Sequence, residues 1–495
     1  MMSNTQYKKL PFAAVGIDAL KTFKAFLLPL FLLVIANFSK FTLDVTSSDF
    51  WSSLAMIGFW GVILLFSVFF SIIRWWTFHY WFENGELRVK YGLFVKKKRY
   101  IPFERIQTLN YHESVLHRLF KLVKVEVETA GSSDGEAEVV LTALTREAAN
   151  EIEKEMRKAK QQLTDVEQRE VVLETPTPEV TAMYKMSTKD LLILASTSGG
   201  IGVLISGIVA LLSQLSDIIP YEKIYGELAT LAKYGVLMIL LAVVVIFAIG
   251  WLASVILTYI KYYSFKVVVQ EENLIITRGL LEKKRVTIPL KRVQAIKIVE
   301  NPFRQLFGYS TVSVESAGST SGEDSMVIFP LIKKRELEAP LQALFPHYEW
   351  QQQFIASPKR AQHFFYRIDF LWVLPLIGAL SYFLWPWGAL SIALIPLVIL
   401  FGIWQHRTTA YAITNKQLVL RYRIVSRVTF YVEKHRIQSM TQRATYFKKR
   451  KEVQDVTIHV MSGATGATAT VKALEEADAQ RIATWYHHAK ALDRL

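Results

Sequence analysis

Sequence patterning predicts a membrane α + β protein: three transmembrane helical hairpins, each followed by a small β-barrel or sandwich with a C-terminal capping helix. Uncharged runs long enough to cross a bilayer recur along the 495 residues, and about 20 apolar residues span the hydrocarbon core as a helix. Between these runs, a pattern of short alternating strands is written three times. That marks one folding unit used repeatedly.

The runs at 51–73, 191–215 and 234–260 carry no charge. Residues 25–39 form a shorter run containing Pro29, with Lys21 and Lys24 placed to snorkel to the interface. The uncharged stretch 370–405 is interrupted by Trp385-Pro386-Trp387-Gly388. It reads as two helices, each slightly short of the usual spanning length, or as a re-entrant hairpin. The first run lacks a small-residue cleavage site and a second span follows at once, unlike a signal peptide.

Charge sets the topology. Three hairpins leave outer connections at 40–50 and 216–234 and the Trp-Pro-Trp-Gly turn, and these hold only Lys40, Lys223 and Lys233 of the 58 Lys and Arg. The positive-inside rule then puts both termini and all three repeats in the cytosol. Arg74-Trp75-Trp76, Lys261-Tyr262-Tyr263 and Trp404 with His406-Arg407 supply an interfacial belt at the inner ends. The net charge of +15 suits either nucleic acid or an anionic lipid surface. Tethering to a membrane favours lipid over nucleic acid. The absence of cysteine excludes disulfides, thiolate catalysis and Cys-ligated metal.

The expected layout is an amphipathic lead-in and hairpin over 1–76, a first β-unit over 77–163, a polar linker over 164–182, and a second hairpin over 183–262. A second β-unit at 263–350, a lead-in and third hairpin at 351–407, and a third, degenerate β-unit at 408–495 complete it. The first 24 residues, and similar stretches at 183–190 and 359–369, read as amphipathic segments lying on the membrane; for 183–190 an ordinary cytosolic linker helix is the alternative. In the first unit, Asn84-Gly85 has the composition of a hairpin turn. Val123, Val125 and Val127 alternate with Lys124, Glu126 and Glu128 as a half-buried strand. Residues 145–163 form a charged helix with Ala148, Ile152 and Met156 along one side. A corresponding helix is expected near 333–344.

The repeat signature holds its register. Arg105 with Gln107, Arg292 with Gln294, and Arg436 with Gln438 mark the three copies; Gly92 and Gly279 lie 13 residues before their arginines, where the third copy has Arg423. Gly131 and Gly318 follow their arginines by 26 residues and Gly463 by 27. Strand, Arg-[Ile/Val]-Gln, a short turn such as Asn301-Pro302-Phe303-Arg304, then Val-x-Val-Glu-[Ser/Thr]-Ala-Gly resembles the bacterial pleckstrin-homology-like (PH-like) membrane proteins, in their three-module form. The resemblance implies PH-like units on the cytosolic face, working beside a smaller membrane protein of the same family. Some relatives are associated with protection against membrane-active antimicrobial peptides. No enzyme activity and no cofactor are implied.

Three basic clusters fall on equivalent strands: Lys96, Lys97, Lys98 and Arg99; Lys283, Lys284 and Arg285; and Arg421, Arg423 and Arg427. Beside an anionic leaflet each Lys or Arg contributes about 1 kcal/mol, so these are the candidate lipid or partner-binding residues. The plainer reading is a solvated cationic face that follows the positive-inside bias. The Arg/Gln signature and its glycines read as structural. Ser198, Gly202, Ser206 and Ala210 recur every four residues within a span, a stripe suited to close helix packing. His112 and His117 are five apart, whereas two helical ligands facing one metal must be four apart. They read as turn residues, and no metal site is expected. A transporter subunit is the alternative function, but transport normally uses ionisable groups within the membrane, and these spans carry none.

Overall fold

The structure, a computed structural model, describes residues 7–36, 48–129, 138–167, 181–198, 236–270, 272–317, 326–367, 369–383, 385, 387–463 and 466–492. The chain divides into two compact units between Thr287 and Ile288, with residues 272–274 belonging to the second.

In the first unit, β2 (His79–Glu83), β3 (Glu86–Tyr91) and β4 (Lys97–Pro102) form an antiparallel meander. Asn84 and Gly85 turn β2 into β3 with positive φ, as an Asn-Gly hairpin requires. On the far side of β2 lies β1 (Lys8–Lys9), with Lys8 opposite Tyr80. Two long apolar helices, Ala13–Ala36 and Ser48–Thr77, come between β1 and β2 in sequence, and Phe26 meets Trp60 edge-on where they pack. The helical pair is thus inserted between the first two strands of a sheet. Within the expected lead-in, Leu10, Ala14 and Ile17 are buried in the protein core, while Phe12 and Leu20 are exposed. A two-residue strand is too short to show alternation, so its lysines resemble an interfacial segment.

The same insertion recurs. β8 (Thr181–Lys185) pairs with β9 (Lys266–Gln270) across the helices Thr188–Ser196 and Val236–Tyr262. β15 (Ile355–Ala356) pairs with β16 (Ala410–Ile413) across Phe370–Phe383 and Leu394–Thr408. The segments expected as lead-ins at 183–190 and 359–369 hold a strand leading into a Ser187-capped helix, and a 3-10 turn, Lys359–Phe365. Helix Arg146–Glu167 also runs into the expected linker.

A second meander follows the first: β5 (Ile106–Glu113), β6 (Leu122–Thr129) and β7 (Val139–Thr145). Helix Arg146–Glu167 contributes Ala149 and Ile152 to a core that holds Leu87, Val89, Ile106, Val125, Val127 and Leu141. The second unit contains β12 (Val293–Glu300), β13 (Tyr309–Ser316), β14 (Met326–Lys333), β17 (Gln417–Arg423) and β18 (Arg427–Glu433). It ends in β19 (Ile437–Arg443), β20 (Val453–Val460), β21 (Ala467–Glu475) and helix Glu476–Leu492. Its main core gathers Tyr411, Leu418, Phe430, Val456, Ile458, Val471 and Ile482. The helix expected near 333–344 is a 3-10 turn followed by the short helix Glu338–Leu344.

The sheets do not stop at the repeat boundaries. With β10 (Asn273–Arg278) and β11 (Lys283–Pro289), one seven-stranded sheet runs β7-β6-β5-β11-β10-β9-β8, and another runs β14-β13-β12-β18-β17-β16-β15. Each joins the second meander of one repeat to the first meander of the next. β4 and β19 stand at the ends of their own sheets.

Among the described residues, three helices are long and apolar enough to cross a membrane: Gly58–Thr77, Val244–Tyr262 and Gly388–Thr408. The pair Lys359–Phe365 and Phe370–Phe383, bent by 46°, makes a fourth if it is one broken span. Most of the predicted span at 191–215, and the outer connections at 40–50 and 216–234, lie outside the described residues.

Gly279 shows why the hairpin before β11 requires glycine: φ is +109°, and an added Cβ would lie 1.9 Å from the Glu282 carbonyl oxygen. In the third copy Arg423 pairs directly with Arg427 in a tighter hairpin, and the left-handed residue is not needed. Gly279→Ala should therefore lower the melting temperature of the detergent-solubilised protein clearly more than Gly308→Ala. Gly308 shares the left-handed conformation, worth roughly 1–2 kcal/mol, but a Cβ there meets nothing within 4 Å.

Candidate functional site: the seams between repeats and the open edge

At the first seam, within the first unit, β11 lies antiparallel to β5, with Lys283 opposite Glu113, Lys284 opposite His112 and Arg285 opposite Tyr111. The Arg285 guanidinium sits 5.4 Å from the centre of the Tyr111 ring and 4.0 Å from the Glu153 carboxylate. His112 reaches Glu126 through Nε2 (3.2 Å) and Glu282 through Nδ1 (3.6 Å). Burial by itself would lower the His112 pKa, but the two glutamates outweigh it and raise the value above 6.5. Burial likewise opposes ionisation of Glu126, yet hydrogen bonds from His112 and Lys124 bring it down to about 2. Beneath this pair, the Thr287 N–H donates to Asn110 Oδ1 (3.1 Å), and the buried Glu128 accepts from Asn110 Nδ2 (2.8 Å) and Thr108 Oγ1 (2.7 Å).

The second seam, within the second unit, repeats the register. β12 pairs with β18 from Ala295–Val432 to Glu300–Arg427. Arg427 Nε donates to Glu300, which is 5% exposed. Arg423, also 5% exposed, lies 3.7 Å from the Trp404 ring centre and donates to Gln305 Oε1 at 2.6 Å. Burial, then Arg427, brings its pKa down to about 10. Arg421 is stacked on Phe354 at 3.4 Å and is lowered for the same reasons. Glu315, 1% exposed, accepts from Lys297 Nζ (2.7 Å) and Ser462 Oγ (2.6 Å). Each seam holds a cavity: about 440 Å³ beside Tyr111, Arg146, Lys266 and Lys283, and about 510 Å³ beside Lys291, Tyr348, His435 and Arg436.

The three basic clusters thus have different surroundings. The second and third line seams, facing carboxylates and aromatic rings. Lys96, just before β4, and Lys97 and Lys98 on it are exposed, as is Lys283 at the start of β11, while Arg99 is paired with Glu138 at 3.1 Å.

The signature arginines end 3-10 turns, and the glutamines lie on the strands that follow. Arg105 is exposed in the 3-10 turn before β5, and Gln107 lies on β5. Gln294 Nε2 donates to the Arg292 carbonyl (3.1 Å), Arg436 donates to the Lys291 carbonyl (2.9 Å), and the exposed Gln438 accepts at its carbonyl from Tyr486 (3.2 Å). The Gly463 N–H donates to Ser316 O at 3.3 Å. Gly131, Gly318, Gly202, Ser206 and Ala210 lie outside the described residues. Ser198 Oγ is 3.0 Å from Thr258 Oγ1 on a neighbouring helix. His117 is held by Ser114 Oγ (2.6 Å) and the Thr142 carbonyl (2.9 Å).

Sequence reading missed the seam acids. Glu113 and Glu300 each lie eight residues past the signature arginine, and the third copy has Ala444 there. That spacing was available as a signal.

The bacterial PH domain model matches residues 25–160, 207–345 and 370–490, and the chain belongs to that family. It is 37% identical, over 483 residues covering 95% of each chain, to the UPF0699 transmembrane protein YdbT of Bacillus subtilis (strain 168). It is a transmembrane protein bearing bacterial PH domains in three repeats. No solved structure matches it.

Two outcomes are expected. Glu300→Gln leaves Arg427 buried without its counter-charge, and breaking such a pair costs about 3–5 kcal/mol; thermal unfolding should show it, with Arg427→Met added to Glu300→Gln recovering much of the loss. At the first seam, His112 has a raised folded pKa, so its stabilisation is full below about pH 6.5 and fades as pH rises through the folded value. Hydrogen-exchange protection factors for the β11 amides should fall as the pH is raised above about 6.5, and His112→Gln should flatten that fall.

Proposed function

We propose that the chain is a multi-pass scaffold of the cytoplasmic membrane. In this reading three helical hairpins carry three helix-capped PH-like units, near 77–163, 263–350 and 408–495, on the cytosolic side. These lie against the anionic inner leaflet and present their sheets to a protein partner, such as a smaller membrane protein of the same family. Protection of the envelope against membrane-active peptides is the setting the resemblance suggests.

The observation that carries the proposal is a set of exposed apolar hairpin tips next to the apolar helices. Phe94 (90% exposed) and Val95 cap the β3–β4 hairpin, Leu281 the β10–β11 hairpin, and Ile424 and Val425 the β17–β18 hairpin. The Leu280 N–H donates to the Ile260 carbonyl near the end of helix Val236–Tyr262, and Gln405 donates to the Ile424 carbonyl. Lysines or arginine follow each tip. Exposed one-turn helices lie alongside: Arg118, next to Leu119 and Phe120, donates to the Leu280 carbonyl. Exposed apolar tips at the ends of apolar helices match an interfacial anchor, with the tip side chains entering the headgroup layer.

The cysteine-free chain allows a direct test. An environment-sensitive fluorophore at Phe94→Cys, Leu281→Cys or Ile424→Cys, in nanodiscs containing phosphatidylglycerol, should emit to the blue and resist aqueous iodide. The same label at the exposed Lys472→Cys should be quenched freely. Equal quenching at all four positions would remove the membrane-apposed reading.

A further inference from the structure

We propose that the outer edge of β4 is a docking edge for a second polypeptide: a PH-like edge strand that brings a carboxylate opposite Lys96. This rests on the scaffold reading above and specifies the chemistry of the partner.

The chain shows the occupant of this edge twice. Counted back from Arg105, Arg292 and Arg436, Lys96 is equivalent to Lys283 and Arg427. Lys283 lies opposite Glu113, whose carboxylate is held by Arg146, and Arg427 lies opposite Glu300 and is ion-paired with it, each acid on the edge strand of the preceding repeat. Among the described residues β4 ends its sheet, with no strand paired on its outer side. Lysines on a free edge ordinarily guard against unwanted pairing. Here Lys283 and Lys284, in the equivalent places, lie within an occupied edge, so cations at this position are compatible with a seated strand.

The chain's own third repeat does not carry the matching chemistry. β19 is the equivalent of β5 and β12 and also ends its sheet among the described residues. Where β5 and β12 lead to Glu113 and Glu300, β19 leads to Ala444, and Arg443 would stand opposite Lys97 in the seam register. The buried seam acid is missing too: Glu128 faces Thr108 and Glu315 faces Ala295, while the residue facing Ser439 is His459. A second copy added head to tail would bring cation to cation, and like charges directly opposite are destabilising. The acids are present in the two repeats that a further repeat follows and absent from the last. The unmatched cations are on the first. Main-chain pairing would supply affinity, as in strand addition generally, and the carboxylate would fix register.

The test uses the full-length protein in neutral detergent micelles and two labelled peptides, one copying residues 292–300 and one copying 436–444. Fluorescence anisotropy should show binding of the first peptide and little of the second. Lys96→Glu should weaken the first by about tenfold, and a peptide with its terminal glutamate changed to lysine should recover binding to that variant. Lys472→Glu, an equal change of charge at an exposed position in another sheet, should leave binding unchanged. Loss of affinity in Lys96→Pro, with an unaltered melting temperature, supplies a second reading that a misfolded variant would not mimic. Failure of the first peptide to bind, insensitivity to Lys96→Glu, or preference for the second peptide would overturn the proposal, the last assigning the edge to another copy. Displacement of the bound peptide by phosphatidylglycerol vesicles would assign the lysines to lipid and overturn it as well. Peptide capture in micelles does not depend on the apolar tips, so the two proposals fail separately.

Discussion

Backbone pairing between the second meander of one repeat and the first meander of the next is the constraint on which the architecture depends. Strand edges carry unpaired N–H and C=O groups that must be paired, covered or guarded. At β5–β11 in the first unit and β12–β18 in the second, they are paired in the same register. At the second seam the pairing brings Arg421, Arg423 and Arg427 into low-dielectric surroundings, tolerable only with a counter-charge or an aromatic face. Glu300, Phe354 and Trp404 provide these, while at the first seam Arg285 lies over Tyr111 and the Glu113 carboxylate is held by Arg146. What distinguishes this chain from separate domains on a string is therefore electrostatic as well as topological.

The second constraint is the placement of the apolar helices. Each described pair lies between a short strand and the partner that completes its sheet: β1 with β2, β8 with β9, β15 with β16. Both ends of the helical insertion are consequently fixed by one sheet, and a long tether would not fix them so. Trp75 Nε1 donates to the Leu10 carbonyl at 2.7 Å, where chain leaving the sheet and chain returning to it come together. Gly402 packs against Tyr366 so closely that an added Cβ would lie 2.8 Å from Tyr366 Cβ. Helix ends and sheet edge are thereby coupled, which keeps the hairpin tips next to the helices.

Much of this was legible in the sequence, and for definite reasons. Alternation of Val123, Val125 and Val127 reveals a half-buried strand, because side chains on a strand change face at every residue. Asn84-Gly85 reveals its turn, and Arg105, Arg292 and Arg436 reveal the repeat. The short strands β1 and β15 have two residues each, and no period can be read from two. Continuity of sheets across repeats is a long-range pairing with no local signature. Its trace was the recurrence of Glu113 and Glu300 at one spacing and its loss at Ala444. The basic clusters looked equivalent in sequence, but their surroundings differ: Arg423 and Arg427 are largely buried, while Lys96, Lys97 and Lys98 face solvent. Composition records charge, not what lies opposite it.

Cysteine pairs in this cysteine-free chain measure the seam most directly. Glu113→Cys with Lys283→Cys, and Glu300→Cys with Arg427→Cys, stand directly opposite across antiparallel strands, where Cβ atoms are about 4.5–5.5 Å apart. Mild oxidation in native membranes should close both pairs within one chain, and pairs shifted by one residue, such as Glu113→Cys with Lys284→Cys, should remain open. Equal closure of shifted and unshifted pairs, or bonds formed only between chains, would contradict a continuous sheet joining the repeats.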